Sequence, residues 1–422
     1  MVPPVVSRRS VAVGAAFVAL VLAGCGAQEE PQPPTPVTEE PITELTIYSS
    51  LPSLGPDGEE AAAVRRGIDL ALAQAGGGVS DIAITHKPLD NATAEEDGWS
   101  AARVSANARS AVQDDAAGLY IGELRSAASV LSMPILNEGR LAQISPAASA
   151  VGLTREGTGA QEGEPGRYYP TGETHFVRLI PDDGVQGTVL SRLMDEQRCM
   201  RTALVNDGQL EPAQLVPVVA EALREQGAEV VLEDVLGEQG LPPDRVAERA
   251  GEADADCLLY AGGATAQAAQ LFLLAAGQLG ESTGLFAAKG LAEPPFFAPR
   301  SGLLPPELGR RLTLTVPPSG EPASPVRAAL LDELGPDAQE DPASRYILYG
   351  YEAMQLALDA IARSGTGRRE DIVDALLETQ NRQSVLGTYS IEDGGGSTLS
   401  EYAIFGVDDT GRLVQRRVVG VG

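Results

Sequence analysis

Gly280, Glu281, Ser282, Thr283 and Gly284 have the G-x-S-x-G spacing of a hydrolase nucleophile elbow, in which a strand delivers the serine and a helix follows it. Here the apolar period places a helix before the serine and a strand after it, so the spacing is read as a turn. A general base would have to come from His86 or His175, the only histidines of the chain. Both sit on strand-like stretches far apart in sequence, and each is read as structural. No zinc-ligand spacing and no phosphate-loop pattern occurs, so neither metal-dependent hydrolysis nor nucleotide chemistry is supported, and no cofactor or metal is expected. Acidic runs such as Glu95–Asp97 and Asp254–Asp256 read as solvated faces.

Binding without bond-making is better provided for. At Ser126 an apolar strand, Gly118–Ile121, gives way through "GELRS" to a helix. The first N–H groups of a helix have no partner within it and carry the positive end of its dipole, which favours a carboxylate. The same serine also reads as a helix cap.

The elements that position such groups alternate. Leu45–Ser50 reads as a strand, and a helix follows over Glu59–Ala75, with Val64, Ile68 and Leu72 recurring every fourth residue. Ile82–Leu89 is a strand, Trp99–Val112 a helix and Gly118–Ile121 a strand. A polar, glycine-rich stretch from Arg155 to Glu173 interrupts the pattern. It then resumes with strands at Arg201–Asn206, Glu229–Glu233, Cys257–Ala261 and Gly284–Ala288, each preceded by a helix. Beyond Gly290 come a strand at Leu312–Val316, a long helix at Ala343–Arg363, a shorter one at Arg369–Glu378 and three further strands. Alternation of this kind gives right-handed crossovers and parallel sheets, so the fold class is α/β with two doubly wound lobes. In such sheets the carboxyl ends of the strands face a crevice where ligands bind. Those ends carry Ser49–Ser53, Asp90, Asn91, Gly122–Ser126 and Ser145–Ser149.

Cys199 and Cys257 each stand at the start of a strand, and in a 2-1-3 strand order these strands are neighbours. That brings the Cα atoms within the roughly 4.4–6.8 Å a disulfide requires. A bridge inside the second lobe is expected, the other state being two buried thiols.

The third cysteine has a different setting. Arg8 and Arg9 precede an apolar or glycine run from Val11 to Gly24, about fourteen residues, shorter than the roughly 18–20 that span a bilayer. A basic start, a short apolar middle and small residues at the end describe an export signal. Leu22-Ala23-Gly24-Cys25 resembles the lipobox of bacterial lipoproteins, which implies cleavage after residue 24 and lipid attached to Cys25. From Gly26 to Glu44 there are five prolines, five glutamates and no aromatic residue. Such a composition cannot offset the entropy of ordering, so residues 25–44 read as a disordered tether. The formal charge of −28 makes nucleic acid an unlikely partner. No later apolar run approaches membrane-spanning length.

The segments "IYSSLP", "GIDLALAQAGG", "IGELRSAAS", "PILN", "QISPAAS", "RTALVNDGQ", "LLYAGG", "YGYEAMQLALDAI" and "SVLGTYSIEDGG", in this order and spacing, resemble the type I periplasmic binding proteins of the branched-chain amino acid, or leucine-binding, family. The resemblance spans nearly the whole body. It implies two lobes joined by a three-strand hinge, with 45–178 and 289–399 in lobe one and 179–288 and 400–422 in lobe two. It implies a lipid-anchored, extracytoplasmic binding component of an ABC importer, delivering an amino acid or related amide to a permease and its ATPase. It does not imply an enzyme.

By position, Ser126, Ala147 and Ser149 match the family residues that hold the ligand's α-carboxylate and α-ammonium groups. Ser149 stands where the family has threonine and keeps the hydroxyl. Two positions depart from the pattern. Gln267 stands where the family has the acidic partner of the ammonium, and Glu211 stands at the aromatic lid position after "NDGQ". Glutamine accepts a hydrogen bond but does not neutralise a buried cation. Either Glu211 supplies the missing charge or the ligand is not an α-amino acid. A sensing protein stays open as an alternative to transport, and the same departures leave open an envelope interaction protein that keeps the fold but has lost its ligand.

Overall fold

The computed structural model describes residues 41–238, 240–298, 302–318, 325–335 and 344–421. The signal peptide, Cys25 and nearly all of the tether lie outside the described residues.

Two sheets organise the chain. The first contains β1 (Glu44–Leu51), β2 (Gly78–Val79), β3 (Ile82–Asp90), β4 (Ala117–Ile121), β5 (Ala142–Ser145) and β6 (Phe176–Arg178), in the spatial order β2-β3-β1-β4-β5-β6. Only the short β2 runs antiparallel to its neighbour. The second contains β7 (Arg201–Asn206), β8 (Glu229–Val235), β9 (Cys257–Ala261), β10 (Gly284–Ala287), β11 (Leu312–Val316), β12 (Glu401–Val407) and β13 (Leu413–Gly420), in the order β8-β7-β9-β10-β11-β12-β13. Its first five strands are parallel and its last two antiparallel. Strands β4 and β9 are buried at every residue, as expected where helices cover both faces of a sheet.

The crossover helices are α1 (Gly58–Gln74), α2 (Ala101–Val112), α3 (Ser126–Glu138), α4 (Asp183–Glu196), α5 (Leu210–Glu225), α6 (Pro243–Glu252) and α7 (Ala266–Leu279). After two four-residue helices, Pro294–Phe297 and Pro306–Gly309, come α8 (Pro325–Leu334), α9 (Ser344–Ser364) and α10 (Arg369–Leu377). Helix α1 buries Ala61, Val64, Gly67, Ile68 and Ala71, a stripe at helical spacing, and lays it along α9. Two glycines set how closely these helices approach. A Cβ on Gly67 would lie 2.0 Å from the Ile347 carbonyl oxygen, and one on Gly350 would lie 2.1 Å from that of Val64.

The chain beyond Gly290 therefore serves both sheets, with α9 and α10 on the core of the first and β11 to β13 completing the second. This corrects the boundary expected for lobe one, because Leu312–Val316 falls in the second sheet. It pairs in parallel with β10 through Leu285↔Leu312 and Ala287↔Leu314, and antiparallel with β12 through Leu314↔Phe405. Leu314 and Val316 are buried there in the second sheet's apolar core.

Cys199 and Cys257 form a disulfide with Cα atoms 5.6 Å apart. Strands β7 and β9 are neighbours, with Thr202 opposite Cys257, so the bridge ties the starts of two adjacent parallel strands. No helix among the described residues is long and apolar enough to cross a membrane.

Candidate functional site

A cleft of about 270 Å³ opens where the carboxyl ends of both sheets converge. Asp57 follows β1 and Arg125 follows β4; Asp207 follows β7, Gly263 follows β9, and Lys289 follows β10. Asp183 and Gln186, at the start of α4, line it where the chain passes from the first sheet to the second. The site thus sits where open α/β sheets place ligands.

Its floor is built on Ser126, the first residue of α3, which is fully buried. Its amide donates to Glu211 Oε1 at 2.9 Å and its hydroxyl donates to the same oxygen at 2.5 Å. The hydroxyl oxygen also accepts from the amides of Ser149 and Ala150, at 3.0 and 3.1 Å. Glu211 belongs to the first turn of α5, beside the second sheet, so its carboxylate reaches across the cleft to a helix start beside the first. Lys289 crosses in the same direction. Its Nζ donates to Ser149 Oγ and stands 4.0 Å from Glu211 Oε2. A second crossing lies further along α5, where Gln214 Nε2 donates to the buried Glu164 at 3.1 Å.

Charge follows from these contacts. Burial pushes the Glu211 carboxyl up, but Lys289, Arg125 and the Ser126 bonds together hold it below the ordinary carboxylate range. Arg125 is committed to Asp57, through Nε at 2.9 Å, and to Glu60 at 2.8 Å. Three other carboxyls move upward. Burial raises Asp183 to about 6, against the pull of Lys289. Burial and then the nearby Glu60 raise Glu293 to about 7. Burial also raises Asp207, outweighing the amides of Gly263 and Gln209 that donate to it at 2.9 and 3.1 Å.

The candidate residues separate into three groups. Ser126, Ser149 and Glu211 come together, but Ser126 and Ser149 lie beneath the cleft rather than on its wall, covered by Glu211 and Lys289. Ala147 is buried, its side chain in the apolar core of the first sheet. Gln267 requires correction: it is exposed on α7 and does not line the cleft. The inward positions of α7 are Ala268, Leu271, Phe272 and Ala275, so residue 267 turns outward beside Gly237. The motifs singled out in the sequence did not point to Asp183, Gln186 or Lys289. One signal was available for the last, since Lys289 is one of only two lysines beside 29 arginines.

Glu123, in the "GELRS" loop, turns away from the cleft into a buried network with Tyr120, Ser50 and Asn91, and burial raises its carboxyl to about 8. His86 bridges Ser49 Oγ at 2.9 Å and Asp69 Oδ1 at 2.8 Å, which has the connectivity of a Ser-His-Asp triad. Ser49 has no exposed surface and does not line the cleft, so a substrate carbonyl bound there does not reach it. His175 is buried, with Nδ1 near Asn137 Nδ2 and the Glu173 carbonyl. Ser282 lies between the end of α7 and the start of β10, the reverse of the elbow order.

Two parallel-sheet halves with a cleft at their facing strand ends define a two-lobed binding-protein fold. The chain belongs to the periplasmic binding protein family, whose sequence model matches residues 47–412. This bears out the resemblance and the fold class drawn from the sequence. Among solved structures, it is similar to a leucine-binding protein, LivK, from Thermotoga maritima, with a TM-score of 0.70 at 20% identity, covering 89% of this chain and 99% of that one. A branched-chain amino acid transporter substrate-binding protein, LivJ, from Streptococcus pneumoniae, solved with isoleucine, gives 0.67 at 18% identity, over 88% and 100%. A solute-binding protein of an ABC transporter from Rhodopseudomonas palustris, solved with p-hydroxybenzoic acid, gives 0.71 at 14% identity, over 89% and 97%. No curated protein matches the chain in sequence.

Proposed function

We propose that this protein is an extracytoplasmic solute-binding component of an ABC importer, anchored by lipid on Cys25, which closes two lobes on a small polar solute and presents it to a permease driven by an ATPase. The observation that carries the reading is the cleft itself, whose walls come from the strand ends of both sheets. A ligand there touches both halves and favours the closed arrangement by its differential affinity for it. Lobe one would comprise the first sheet with α8, α9 and α10, and lobe two the second sheet, the chain crossing to lobe two near residue 178, back to lobe one after Val316 and to lobe two again near residue 400. The protein performs no bond-making step on its solute. An amino acid or related amide is the ligand class the family resemblance implies.

The test is a thermal-shift screen of the full chain, refolded from denaturant to strip endogenous ligand, against a broad panel of small metabolites. A shift of several degrees with one chemical class supports the reading. A flat response across the panel overturns it in favour of an envelope protein that has kept the fold alone, a reading that the covering of Ser126 and Ser149 also favours.

A further inference from the structure

The cleft reads as a site for a cation once its donors and acceptors are counted. Asp183 and Gln186 line it and are 1% and 0% exposed, yet Asp183 Oδ2 and Gln186 Oε1 have no hydrogen-bond partner. The Gln186 orientation is fixed, because its Nε2 donates to the Thr315 carbonyl at 3.3 Å and to Thr315 Oγ1 at 2.9 Å. A carbonyl only accepts, so Oε1 is the atom left over. Buried acceptors without donors are costly, and a ligand rich in N–H groups relieves two at once.

The charges agree. Both cations on the wall are spent, Arg125 on Asp57 and Glu60, Lys289 on Ser149 and Glu211. Asp183, Asp207 and Glu293 have no salt bridge to any described residue, and burial leads the upward shift of all three, outweighing the pull of Lys289 on Asp183 and of Arg125 on Glu293. Trp99 lines the same cleft.

The one ready-made carboxylate site is already filled. The Ser126 amide and hydroxyl hold Glu211 Oε1, and the Ser149 hydroxyl holds Lys289 Nζ. The chain's own carboxylate and ammonium thus lie side by side on the two serines, as the two charged groups of a free amino acid would. A ligand carboxylate has to expel Glu211 into a cleft already rich in negative charge.

We propose that the cleft takes an organic cation, an ammonium or guanidinium on a small body without a free carboxylate, whose N–H groups donate to Asp183 Oδ2 and Gln186 Oε1. This rests on the solute-binding reading above and changes its ligand from an amino acid to a cation such as an amino-acid amide or an amine.

Leucinamide, leucine and 4-methylpentanoate share one aliphatic body and differ in charge, so calorimetric titration of the refolded full chain with each isolates the charged groups. Agmatine extends the test to a guanidinium. The expected result is binding of leucinamide or agmatine at least tenfold tighter than of leucine or 4-methylpentanoate. Asp183→Asn should weaken the cation at least tenfold while leaving the ligand-free circular dichroism unchanged. Equal or tighter binding of leucine or 4-methylpentanoate, or cation binding indifferent to Asp183→Asn, overturns the cation and leaves the solute-binding reading standing. If carboxylates or neutral solutes from the broad panel bind while amines do not, the same conclusion follows. If nothing binds, both readings fall.

Discussion

Lys289 Nζ and Glu211 Oε2 stand 4.0 Å apart over two buried serines that belong to the other side of the cleft. The pair is contributed by the second sheet's loops and seated on the first sheet's loops, so it joins the two halves directly.

Glu211→Ala breaks two bonds to Ser126 and leaves Lys289 without its carboxylate. Charge-assisted hydrogen bonds to a buried group contribute about 1.5–3 kcal/mol each, with strong coupling between the two expected here. The expected outcome is a loss of roughly 2–4 kcal/mol in urea unfolding, accompanied by measurable binding of 4-methylpentanoate, absent in the parent chain, at the vacated Ser126 amide. An unchanged unfolding midpoint with no gain of carboxylate binding contradicts the role given to Glu211.

Because the chain has only two lysines, the seating of Lys289 has a direct chemical readout. Lys87 is exposed, whereas the Lys289 side chain is 9% exposed. Brief acetylation followed by peptide mass analysis should modify Lys87 first and Lys289 at least tenfold more slowly, and Glu211→Ala should narrow the gap. Equal rates in the parent chain would mean that the cleft stands open.

Asp183 makes ligand-free stability depend on pH with a definite sign. Its folded-state pKa of about 6 lies above the ordinary 3.8, so the folded chain holds that proton more tightly than the unfolded chain. The contribution is full below pH about 4 and is lost as pH rises through about 6, reaching on the order of 3 kcal/mol. Asp183→Asn should therefore match the parent near pH 4 and exceed it in melting temperature above pH 7. A difference between the two chains that stays constant across pH 4–8 refutes the assignment.

The Cys199–Cys257 bridge closes a loop with a sequence separation of 58. Replacing both cysteines with serine should lower stability by about 2–4 kcal/mol, read as a shift of the urea midpoint, with secondary structure retained.

Much of the fold is legible from apolar period alone, and the reasons for the failures are physical. Strands Arg201–Asn206 and Cys257–Ala261 are continuous apolar runs bounded by polar residues, and their ends are found to the residue. Phe176–Arg178 is not legible because three residues hold no period, and nothing in the sequence marks Arg178 as buried among Thr154, Asp182 and the Ala150 carbonyl. Leu312–Val316 is recognisable as a strand, but its composition does not say which sheet will receive it. In the site, Ser126 is visible because a strand-to-helix junction has its own chemistry. Asp183 and Lys289 are not, because their positions depend on how two distant strand ends meet across the cleft. For Gln267 the spacing from Gly262-Gly263 allows either a ligand contact or a solvated helix residue, and the helical face set by Ala268 and Leu271 turns it outward.

Native mass spectrometry of the full chain, purified without denaturation, reads whether a small cation is held between the lobes. A one-to-one adduct carrying a basic nitrogen is expected on the parent chain and is lost from Asp183→Asn. A bare chain, or an adduct that persists undiminished on Asp183→Asn, rules the cation out.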